Sequence, residues 1–80
     1  MKKNRIKLIW KFSGIDATKI AEHHLTHLKE YVQKENLEIF GMGNEKIDDN
    51  VTNSFIIIYN DLLEKIKHDL KPHEGFIVTK

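Results

Sequence analysis

Five of the 80 residues are histidines, and three of them fall within five positions: His23, His24 and His27. His23 and His27 stand four apart, so on a helix their rings can reach a common point one turn apart. Two imidazoles at that spacing suit a divalent transition metal such as zinc, copper, nickel or iron. His24 and His27, three apart, can also converge, which makes His23, His27 and His24 the candidate metal ligands. A second candidate group, His24, His73 and His68, would bind a small anionic ligand or complete the metal set. Each has a plainer reading. His24 can be a core residue whose ring nitrogen bonds a carbonyl, His23 and His27 can belong to a solvated face, and His73 can be a turn residue. The H-E-x-x-H pattern of zinc proteases is absent.

Other groups offer less chemistry. Gly41, Met42 and Gly43 lack the third glycine and following helix of a phosphate cradle, and read as a strand bulge or hairpin distortion. Asp48, Asp49 and Asn50 lack the glycine and terminal glutamate of a calcium loop. Ser13 and Ser54 sit in no nucleophile elbow. Glu22, Glu30 and Glu74 can act beside the histidines as a base or a carboxylate ligand. With no cysteine, the chain has no disulfide, thiolate metal centre or thiol nucleophile. An enzyme using His24 or His73 as general acid–base stays open as a third reading, without a nucleophile, oxyanion donor or cofactor motif to support it.

Position depends on the elements. Residues 5–12 alternate: Ile6, Leu8, Trp10 and Phe12 on one face, Arg5, Lys7, Ile9 and Lys11 on the other. Ser13 and Gly14 break this strand, and Ser13 or Asp16 caps the first helix. From 16 to about 35 the period becomes helical, with Ala17, Ile20, Ala21, His24, Leu25, Leu28, Tyr31 and Val32 in one stripe. His24 lies within that stripe; His27 and His23 lie on its flank. Asn36 is the expected left-handed terminator. Residues 37–40 read as a short strand, 44–53 as a polar connection anchored by Ile47 and Val51, and 54–59 as a central strand. A second helix, 61–70, carries Leu62, Leu63, Ile66 and Leu70 inward and is ended by Pro72. A last strand spans 76–79.

The order βαββαβ resembles the ferredoxin-like, split-βαβ proteins: an α+β fold with a four-stranded antiparallel sheet and two helices on one face. The resemblance spans residues 1–80 as a single domain. It lies in element order alone, so it implies a fold and not a function. The topology would bring His68 and His73 to the sheet end where the first half of helix 1 lies, beside Phe12, Ser13, Asp16 and Glu74. His24 should then be buried, with His73, Asp69 or a carbonyl near Ser13 as its polar partner.

Hydrophobic residues make up 40% and charged residues 31%, which suits a folded domain. Thirteen basic against twelve acidic residues leave a net charge of +1, so neither nucleic acid nor a membrane is an expected partner. Lys7 and Lys11 interrupt the apolar run a signal peptide needs after Met1, Lys2 and Lys3, and the expected location is cytoplasmic. Two helices cover one sheet face, so some of Ile9, Ile56, Ile58 or their alternates should be exposed. Such a patch marks an interface. The leading functional reading is therefore an interaction or structural module, a homodimer joined through its sheet face or its edge strands, with metal or anion binding by the histidines as the alternative.

Overall fold

Alternation sets the first element, β1 (Arg5–Ser13), whose Ile6, Leu8 and Trp10 are buried on the side the helices cover. Gly14, at φ 110°, turns the chain into α1 (Ala17–Lys34). A side chain there would be strained, and the Gly14 amide donates to the Asn50 carbonyl at 2.8 Å. Asn36 takes the expected left-handed conformation, and the Leu37 and Asn36 amides bond back to Val32 and Gln33, a Schellman close. The antiparallel hairpin β2 (Gly41–Asp48) and β3 (Val51–Tyr59) comes next. After a 3₁₀ turn (Asn60–Leu62) come α2 (Leu63–Leu70) and β4 (Glu74–Val78). Left-handed Lys71 ends α2 ahead of Pro72. This computed structural model describes residues 4–78; Thr79, expected in the last strand, and Met1, Lys2 and Lys3 lie outside them.

The sheet runs β2-β3-β1-β4, with β1 antiparallel to both neighbours. Leu28 of α1 and Ile66 of α2 join Ile6, Leu8, Trp10, Ile56 and Ile58 in one core cluster. Both helices therefore pack on the same face. The fold is the ferredoxin-like α+β arrangement.

Three expectations change. The second strand is not 37–40 but Gly41–Asp48, and most of the polar stretch 44–53 is strand, turning only at Asp49 and Asn50. Its polar groups find partners inside the hairpin: the Ser54 hydroxyl donates to Asn44 Oδ1 at 2.7 Å, and the Asn50 amide donates to Asp48 Oδ1 at 2.8 Å. Gly43 gives the Phe55 ring its place, since a Cβ there would lie 3.3 Å from it. A bulge between Lys46 and Asp48 leaves Ile47 exposed.

Ile20, expected in the core stripe, is 47% exposed. Ala17 and Ala21 face the sheet instead, where β3 presents Thr52 and Ser54 rather than apolar bulk. Thr18 and Thr52 hydroxyls meet at 2.9 Å, and the Ser54 hydroxyl lies 3.2 Å from the Ala21 carbonyl. Small residues let the helix approach, and the approach rolls Ile20 outward.

The open sheet face is also better covered than alternation implies. Ile56 and Ile58 face the helices and are fully buried; on the open face Phe55 and Ile57 are half-buried and Ile9 is only 7% exposed. Its cross-strand neighbours are Phe55 and Glu74. Lys11 pairs with Glu74, and Lys7 pairs with Glu45 while lying 4.6 Å over the Phe55 ring. These aliphatic stems roof the middle of the sheet.

Candidate functional site

The histidines separate into distinct environments. His24 projects from α1 onto the two aromatic rings that β1 alternation sends to the helix side: its ring centroid is 5.0 Å from Trp10 and 5.3 Å from Phe12. Its Nε2 is buried without a hydrogen-bond partner. Burial first, then the nearby His27 and His73, hold its pKa below the ordinary 6.5. The partners expected from topology are engaged elsewhere.

His73 ties β4 to β1. Its amide donates to the Ile9 carbonyl at 2.9 Å, and its Nδ1 accepts the Lys11 amide at 2.8 Å. The ring proton of neutral His73 therefore sits on Nε2. This is the turn role, extended to satisfy a β1 amide that β4 does not reach.

Asp69 belongs to another group altogether. Tyr31 donates its hydroxyl to Asp69 Oδ2 at 2.6 Å, and Lys65 bridges Asp69 at 3.4 Å and Glu35 at 3.0 Å. The network fastens the second half of α1 to α2. The Tyr31 hydrogen bond comes first, followed by that from His68, in holding the Asp69 carboxyl down at about 2. Burial, then the Asp69 bond, raises the Tyr31 phenol, and the Glu35 bond leads in raising the Lys65 ammonium. The helical stripe puts Tyr31 in the core and misses this role. An aromatic with a polar tip on the stripe's edge is the available signal.

A depressed carboxylate stabilises above its unfolded pKa and loses that contribution as pH falls through the folded one. The advantage of wild type over Tyr31→Phe is therefore expected in full at neutral pH, shrinking from about pH 3.8 towards 2. Urea unfolding at neutral and acid pH, with NMR titration of the Asp69 carboxyl, measures both. An Asp69 pKa unmoved in the variant would remove the hydroxyl from this account.

His23 and His27 form a pair on the solvent side of α1. Their Nε2 atoms are 3.1 Å apart and their rings nearly perpendicular at 77°. Glu30 faces the other nitrogen of His27, Nδ1, at 3.4 Å. His68 stands apart on α2, its ring on Asp69 and its side chain 89% exposed. The structure thus brings His23 to His27, and His24 within electrostatic range of His27 and His73, but not His68 to any of them. Among the described residues no group of three or more His, Asp or Glu is arranged to hold a metal ion.

A groove of about 410 Å³ lies between α2 and the edge strand β4, lined among others by Leu8, Leu63, Pro72, Gly75 and Ile77. No described helix is long and apolar enough to cross a membrane. No protein-family model matches the chain, and no curated protein or solved structure does.

Proposed function

We propose that this domain is a cytoplasmic interaction module that pairs with a second copy of itself along the free edge of β4. The contrast between the two sheet edges carries the reading. The β2 edge presents Glu45, Lys46 and Asp48 and is broken by a bulge, devices that discourage edge-to-edge pairing. The β4 edge has no lysine, proline or bulge. Its one charge, Glu74, is paired with Lys11, and Phe76 and Ile77 are 53% and 64% exposed.

The groove beside β4 fits such a partner. Antiparallel pairing centred on Phe76 sets Phe76 against its counterpart on the open face and Ile77 opposite the partner's Gly75. Gly75 lies over the core, where an added Cβ would come within 3.0 Å of Leu8 Cδ2. With no side chain at Gly75, the groove between Leu8, Leu63 and Pro72 stays open at the strand edge, where Ile77 of the second copy can enter it. Two four-stranded sheets become one continuous sheet, and the exposed apolar residues are covered.

Sedimentation equilibrium tests the reading. Wild type is expected to dimerise, and Ile77→Lys to be monomeric with an unchanged far-UV spectrum. Ile47→Lys, on the opposite edge, should remain a dimer. A wild type that is monomeric at every concentration, or an Ile77→Lys dimer as tight as wild type, overturns it.

A further inference from the structure

We infer that His23 and His27 form a two-point chelate for a divalent transition-metal ion, with copper(II) the best-fitting occupant. The two Nε2 atoms lie 3.1 Å apart. Bonds of about 2.0–2.1 Å from each to one ion then enclose an angle of roughly 95–102° at the metal. That is close to the right angle between neighbouring ligands in the tetragonal sites copper(II) prefers, and copper(II) also heads the divalent series in affinity for nitrogen donors. Both rings stand on consecutive turns of an 18-residue helix, so the backbone already holds the spacing. Little rearrangement is needed.

Glu30 supplies the second observation. Ligating histidines commonly present their other ring nitrogen to a carboxylate, which fixes the tautomer and makes the donor more basic. Glu30 Oε1 faces His27 Nδ1 at 3.4 Å. With the proton on Nδ1, His27 offers the lone pair of Nε2. In the free protein that lone pair is met by the Nε2 proton of His23. When metal binds, the His23 proton moves to its own Nδ1, so both rings remain neutral and no other proton acceptor is required. The site is on the surface, beside a depression lined by Asp16, Lys19, Ile20 and His23, which leaves room for water on the remaining coordination positions. His24 is not a member, because its Nε2 is closed off from solvent.

The test uses the untagged full chain, stripped of metal and titrated with copper(II) sulfate in a non-coordinating buffer. One equivalent should bind, giving a tetragonal EPR spectrum with hyperfine structure from two nitrogens. In wild type, the His23 and His27 ring resonances should broaden first in NMR, a readout that needs no variant. His23→Gln and His27→Gln should each weaken binding at least tenfold, while His68→Gln, the control for a single exposed imidazole, leaves it unchanged. Equal affinity in wild type and both pair variants, a one-nitrogen spectrum, or loss only in His68→Gln overturns the inference. Dimer formation in the pair variants should match wild type, since β4 lies on a different surface.

Discussion

Replacing Trp10 by alanine is expected to cost about 3–5 kcal/mol, the range for removing a large buried aromatic. A domain of 80 residues has only about 4–12 kcal/mol in total, so this one change removes at least about a quarter of it and, at the low end, reaches the unfolding midpoint without denaturant. Trp10 is 3% exposed in the core cluster, lies against His24, and donates from Nε1 to the Leu70 carbonyl at 2.9 Å. It therefore joins β1 to both helices at once. Because it is the sole tryptophan, the measurement is urea unfolding followed by far-UV circular dichroism rather than fluorescence. Trp10→Phe separates the two contributions: most of the packing remains and the hydrogen bond goes, a loss of about 1 kcal/mol or somewhat more. If Trp10→Ala stays within about 1 kcal/mol of wild type, Trp10 does not hold the layers together.

The same residue shows why much of the fold is legible in the chain. Trp10 belongs to a strand that alternates except at Ile9, and period 2 assigns its face without tertiary information. α1, α2 and the order of elements emerge as directly, since Asn36 and Pro72 mark where the helices stop. What the pattern cannot supply is pairing. Asn44, Asp48 and Asn50 read as loop residues until Ser54 and the turn amides give them partners. The roll of α1 is equally hidden. A helical wheel weighs Ile20 above Ala17 and Ala21, whereas close approach to Thr52 and Ser54 selects the alanines.

The histidine cluster divides for a related reason. Topology indicates which end of the fold each histidine occupies, and His24, His27 and His73 do come within electrostatic reach. Ring direction is decided by neighbours. His73 is claimed by the Lys11 amide, His68 by Asp69, and His24 by two aromatic rings. Only His23 and His27, related by helix geometry alone, meet as their spacing indicates. The unguarded β4 edge is present in the sequence as Gly75 to Val78 but has no meaning before the strand order shows it to be an edge.

His24→Leu is expected to stabilise the domain by about 1–2 kcal/mol at neutral pH, because it removes a buried nitrogen that has no partner and keeps similar volume against Trp10 and Phe12. The gain should grow in acid. The folded-state pKa of His24 lies below the unfolded value of 6.5, so the neutral ring's contribution is complete above 6.5 and is lost as pH falls through that value towards the folded one. Leucine has no proton to take up, so the variant escapes that loss. Urea unfolding of both proteins across this range, with a chelator present to keep His23 and His27 metal-free, gives the difference directly and cancels the groups that do not couple to His24. A variant less stable than wild type by more than about 1 kcal/mol would mean that the ring has a polar partner holding it in place. A gain that does not change with pH would mean that His24 takes up its proton equally in the folded and unfolded states, and the packing argument would then stand without its electrostatic half.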